Sequence, residues 1–200
     1  MTTVGAGFLA GLSLIIAIGS QNAFVLRQGL ARQQVGPVVA VCMLSDIVLI
    51  SAGVAGIGTL VEQAPWVLEA VRWGGAAFLT AYGVLSLRRA ARGGGTLEAA
   101  ARGVTRLAPA LLTALALTWL NPHVYLDTVL LLGSLASGYG PDGRWLFATG
   151  AALGSVVWFL VLGYGARLAS GLFARPTSWR VLDAVIGVIM LGLAASLALG

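Results

Sequence analysis

Charged side chains are scarce: Lys, Arg, Asp and Glu together make up 10% of the 200 residues, against 58% hydrophobic residues and a mean hydropathy of +0.94. Soluble domains carry about 25% charged and 45–50% apolar residues, so a water-soluble fold is excluded for want of polar surface. Lysine is missing altogether, and all twelve basic residues are arginine. Cysteine is reduced to Cys42, which rules out an intramolecular disulfide and reads as a small core residue within an apolar stretch. One histidine, His123, is present. Neither a His-Glu-x-x-His pair nor a Gly-x-Ser-x-Gly elbow accompanies it, which argues against an intramembrane enzyme and gives no metal site or cofactor to expect. Positive charge is also missing before the first apolar run, in Met1-Thr2-Thr3. That run is longer than the 7–15 residues of a signal h-region, so it is expected to be a membrane span, even though Ala17-Ile18-Gly19 has the look of a cleavage site.

What fills the chain is apolar sequence. A bilayer core of ~30 Å takes about 20 apolar residues as a helix, and six such stretches occur, approximately 4–26, 36–60, 66–87, 108–133, 145–167 and 181–199. The expected fold is an all-α integral membrane protein of about six transmembrane helices, forming one transporter domain over residues 1–200 with a longer cytoplasmic loop at 88–107. The formal net charge of +5 would suggest a nucleic-acid partner in a soluble protein. Here the charges lie at loops: ten arginines flank the connections after the first, third and fifth stretches, and only Arg72 and Arg144 lie on the other side. The positive-inside rule makes the first set cytoplasmic and, if all six stretches span, puts both termini outside. Trp66, Trp145 and Trp179 stand near segment starts, where interfacial indoles are expected.

The two halves of the chain resemble each other. Val67-Leu68-Glu69-Ala70-Val71 and Val181-Leu182-Asp183-Ala184-Val185 open the third and sixth stretches, Asn22 has a counterpart in Asn121, and Ser45 one in Ser155. Three helices is an odd number, so a second copy enters the membrane with opposite polarity, as in the inverted repeats of secondary transporters. Gly7-xxx-Gly11 and Gly150-xxx-Gly154 permit close helix contact and are compatible with a homodimer without demanding one.

Polar residues inside apolar segments are costly in lipid and should face an interior path. Asp46 lies about ten residues into the second stretch, roughly 15 Å from its cytoplasmic boundary and so near the midplane. No basic residue of its own segment neutralises it. The fourth stretch holds Thr118-Trp119-Leu120-Asn121-Pro122-His123-Val124-Tyr125-Leu126-Asp127-Thr128. Pro122 removes a backbone donor and crowds the Thr118 carbonyl, and Asn121 before it is biased away from helical geometry, so a break is expected there. A break inside the membrane is tolerated where it lines a cavity. On a helix His123 and Asp127 share one face, and Asn121, Tyr125 and Thr128 another. The first stretch contains Gly19-Ser20-Gln21-Asn22, a second weak point, followed by Arg27, which either snorkels to the headgroups or holds a substrate carboxylate.

The runs Gly19-Ser20-Gln21-Asn22-Ala23-Phe24-Val25-Leu26-Arg27-Gln28-Gly29 and Thr118 to Thr128 resemble the signature segments of the lysine exporter (LysE) family, in particular its lysine- and arginine-exporting branch. The likeness covers the whole chain in length, helix layout and order of motifs. Ser20 departs from it, since alanine is more usual there. The resemblance implies export of L-lysine, L-arginine or close analogues across the bacterial cytoplasmic (inner) membrane, driven by the proton motive force. Asp46 and Asp127 are then the matching intramembrane acids, and the broken segments at Gln21, Asn22 and Asn121, with His123 and Tyr125 nearby, bind the substrate's zwitterionic end. Substrate, protons and the lipid bilayer are the expected partners. Export of another solute on the same scaffold, a neutral amino acid or a metal cation, is the alternative, and a cation channel is another.

Overall fold

A computed structural model of the chain describes residues 2–16, 19–56, 65–91, 104–173 and 175–199, and among these the regular structure is entirely helical. In chain order come α1 (Thr3–Ile15), α2 (Ser20–Ala31), α3 (Val35–Val54), α4 (Pro65–Ala91), α5 (Leu107–Trp119) and α6 (Pro122–Val124). A π-helical stretch (Tyr125–Leu131) then runs into α7 (Leu132–Ser137), and α8 (Gly140–Gly165), a 3-10 stretch (Ala166–Phe173) and α9 (Pro176–Leu199) complete the chain. Most of the expected loop at 88–107 lies outside the described residues, as does the end of the second apolar stretch.

A buried apolar core includes Phe24, Ile50, Phe159 and Met190, but many large apolar residues face outward as well. Leu44 and Val48 on α3, Leu153, Val157 and Val161 on α8, and Val181, Val185 and Val188 on α9 are exposed at spacings of three and four, so each helix shows one apolar stripe to the exterior. Buried on the inner faces are Ser45, Asp46, Ser155 and Asp183. Such a surface requires lipid as its solvent. α3, α9 and the helical run Gly140–Ala169 are each long and apolar enough to cross a membrane alone. The pairs Thr3–Ile15 with Ser20–Ala31, bent by 83°, and Leu107–Trp119 with Pro122–Ser137, bent by 60°, qualify as broken spans. That gives up to five candidates where six spans were expected. The remaining helix, α4, has 27 residues and so a length of about 40 Å, but Glu69, Arg72, Arg88 and Arg89 lower its hydropathy.

The most extensive contacts join α4 to α9, α1 to α8, α3 to α8, and α3 to the broken α5–α7 span. The α1–α8 contact is built on glycine. A Cβ at Gly7 would strike the Phe147 carbonyl, one at Gly150 the Val4 carbonyl and the Phe8 amide, and one at Gly11 the Ala151 backbone. Both Gly-xxx-Gly motifs therefore meet within one chain, so their spacing carries no argument for or against a homodimer. Because backbone atoms cannot step aside as a flexible side chain does, Gly150→Val is expected to destabilise the protein by about 1–3 kcal/mol, the usual range for overpacking. A lowered melting temperature of the purified protein in detergent checks this, and an unchanged one refutes it.

Trp179 corrects the expectation of an interfacial indole. It is 3% exposed and its Nε1 donates to the Phe173 carbonyl at 3.0 Å, so it packs beneath the 3-10 stretch.

Candidate functional site

Two interruptions shape the interior. At the first, α1 ends at Ile15 and α2 begins at Ser20. The Asn22 side chain reaches back across the gap, its Nδ2 donating to the Ile15 carbonyl at 2.6 Å, while its Oδ1 accepts from Trp158 Nε1 at 3.2 Å. At the second, α5 ends at Trp119, one residue past the Thr118 carbonyl that Pro122 would crowd. Asn121 is extended, with φ −104° and ψ 107°, and its Oδ1 accepts from the His123 amide at 3.2 Å. Tyr125 Oη donates to the Trp119 carbonyl at 2.9 Å, across the break. Beyond it the helix widens into the π-helical stretch, a distortion frequent at functional sites.

Between the interruptions lies a cavity of about 260 Å³. Gly19, Ser20, Gln21 and Asn22 line it from the first break, Asn121, His123, Asp127 and Thr128 from the second, and Asp46 from the middle of α3. Leu14, Ile15, Val124, Phe159 and Leu193 supply apolar wall. Asp46 is 5% exposed, and its Oδ2 accepts from Ser155 Oγ of α8 at 2.7 Å. Next to it Ser45 Oγ accepts from Trp119 Nε1 at 3.1 Å, which ties α3 to the end of α5. Neither Asp46 nor Asp127 belongs to an ion pair among the described residues. The cavity thus offers two carboxylates that no cation among the described residues pairs with, a setting that favours a cationic guest. Among the described residues no three His, Cys, Asp or Glu side chains come together as metal ligands do.

Two residues expected at this site are elsewhere. Arg27 is 4% exposed and forms a forked pair with Asp183 of α9, Nε to Oδ1 at 3.0 Å and Nη2 to Oδ2 at 3.2 Å. It neither snorkels nor lines the cavity, because a carboxylate from the last helix reaches it first. Arg89 approaches the same Asp183 Oδ1 at 3.3 Å. Tyr125 does not line the cavity and its hydroxyl is engaged by Trp119. Both asparagines do line it, but the side-chain bonds described above for each hold a break in shape. Sequence alone does not mark Ser155, Trp158 or Asp183 as site or ion-pair residues. Asp183 carried a signal, being an acid within an apolar segment, whereas a serine and a tryptophan are too ordinary there to be noticed.

The family model for LysE type translocators matches residues 12–200, which includes every residue lining the cavity. The chain belongs to this family. It is 40% identical, over an alignment of 225 residues, to the lysine exporter LysE of Corynebacterium diphtheriae, covering 98% of this chain and 99% of that one. It is 46% identical over 183 residues to a putative amino-acid transporter of Mycobacterium tuberculosis, covering 92% and 90%. Against the arginine exporter ArgO of Yersinia enterocolitica the identity is 44% over 192 residues, covering 96% and 94%. No solved structure matches the chain significantly. As a member of the LysE family the chain is a translocator, and its apolar helices make it a multi-pass membrane protein.

Proposed function

We propose that this protein exports basic L-amino acids, lysine or arginine, across the bacterial cytoplasmic membrane in exchange for protons. The observation that carries the reading is the cavity between two broken helices, whose two carboxylates have no cationic partner among the described residues. The names of the relatives, a lysine exporter and an arginine exporter, agree with it.

Moving a cation outward against an inside-negative potential costs ~2.3 kcal/mol per 100 mV. A carboxylate that holds either the substrate cation or a proton, never both, exchanges the two and cancels the charge moved. Asp46, buried and held by Ser155, is the exchange site in this reading, and the more exposed Asp127 is a second contact for the cation. Alternating access is the mode of transport in this reading, and the helix packing supports the inverted three-plus-three repeat it would use: exchanging the two halves turns the α1–α8 contact into the contact of α5–α7 with α3, and leaves α4–α9 and α3–α8 unchanged. Two packings related in this way differ little in energy.

The test is flux from proteoliposomes loaded with labelled L-arginine, L-lysine or L-leucine and a pH-sensitive dye. Arginine or lysine is expected to leave while the lumen acidifies. Efflux with no proton movement overturns the exchange, efflux of leucine alone overturns the substrate class, and steady conductance without stoichiometric flux identifies a channel.

A further inference from the structure

We propose that the first turn of α2 is the seat of the substrate's α-carboxylate, with the Ser20 hydroxyl as its side-chain donor, so that the protein distinguishes basic amino acids from their decarboxylated amines. The proposal rests on the exporter reading above and adds the position and polarity of the substrate within the cavity.

α2 has 12 residues, and its N-cap, Gly19, has no side chain with which to close the helix end. The Ala23 amide bonds to the Gly19 carbonyl, but the amides of Ser20 and Gln21, one turn too early, have no acceptor within the helix. Those amides and the helix dipole make this end attractive to an anion, and Gly19, Ser20, Gln21 and Asn22 all line the cavity. The independent sign is Ser20 itself. It is fully buried, at 0% exposure, and its Oγ has no hydrogen-bond partner. A buried hydroxyl left unbonded is costly, and a ligand oxygen on the adjoining cavity would satisfy it.

The second break offers no equivalent. Pro122 has no N–H, and the next amide, His123, is already taken by Asn121 Oδ1. Asp46 and Asp127 would repel an anion from the remaining polar wall. A basic amino acid is therefore polarised one way, its carboxylate on α2 and its positive charge toward the acids.

The test is binding of L-arginine and of agmatine, which is arginine without the carboxylate, to the purified full-length protein and to Ser20→Ala. Agmatine is expected to bind the wild-type protein at least about 100-fold more weakly than L-arginine. In S20A the Kd for L-arginine is expected to rise about ten-fold, the value of one hydrogen bond to a charged group, with that for agmatine unchanged. Agmatine binding the wild type as tightly as L-arginine overturns the carboxylate seat and leaves the exporter reading standing. An equal change for both ligands in S20A makes the hydroxyl a structural group and overturns its role. Binding of neither to the wild type overturns the exporter reading and this inference with it.

Discussion

Asp46→Asn is expected to abolish export while leaving the protein folded in the membrane. The substitution keeps size and an acceptor for the Ser155 hydroxyl, which now donates to the carboxylate at 2.7 Å, so the α3–α8 contact survives. It removes the negative charge that a guanidinium or ammonium group needs after leaving water. Depriving a buried charge of its partner costs about 3 kcal/mol or more, which is about two orders of magnitude in affinity. It also removes the proton carrier, so the residual transport should not respond to a pH gradient. Arginine efflux together with lumenal pH reads both effects. Asp46→Glu, which restores the charge one methylene farther out, should recover part of the flux, and undiminished export by Asp46→Asn would refute the exchange mechanism.

The second large effect concerns stability. Asp183→Ala takes away the carboxylate that faces Arg27, whose side chain is 5% exposed, and leaves that guanidinium in the bundle without its counter-charge. Breaking a buried pair on one side costs about 3–5 kcal/mol, enough to deplete the folded population of a marginally stable protein. Arg89 adds little to the expected loss, since its side chain is 41% exposed and water can take over from the carboxylate. Arg27→Met combined with Asp183→Leu, which replaces the pair by apolar groups, should recover most of the stability. Thermal unfolding followed by size-exclusion chromatography distinguishes the variants, and a single variant as stable as the wild type would show that the pair contributes nothing.

Asp46, Asp127 and the break at Pro122 were legible in the sequence because an apolar background makes a charge or a missing amide conspicuous. Arg27 was not, since the residue that claims it stands 156 positions away and local sequence carries no trace of such a pairing. Asn22, Asn121 and Tyr125 were recognised as polar groups in costly places, but residue type does not tell whether a side chain turns to a ligand or back to its own helix. Trp179 misled for a related reason: an indole suits a membrane interface and a buried pocket with one acceptor equally well. The glycines were read correctly as points of close approach, yet only the packing reveals that α1 and α8 use them on each other.

The pairing of helices across the halves bears on how the protein is made. α1 packs on α8, α4 on α9, and Arg27 pairs with an acid on the final segment, so the first half is synthesised before any of its principal neighbours. Until then Asp46 and Arg27 must stay solvated by headgroups, by water drawn into the bilayer, or by the insertion machinery itself. Damage to the last helix is therefore felt far from it: a ribosome stalled before Asp183 leaves behind a nascent chain that lacks the acid paired with Arg27 in the finished bundle.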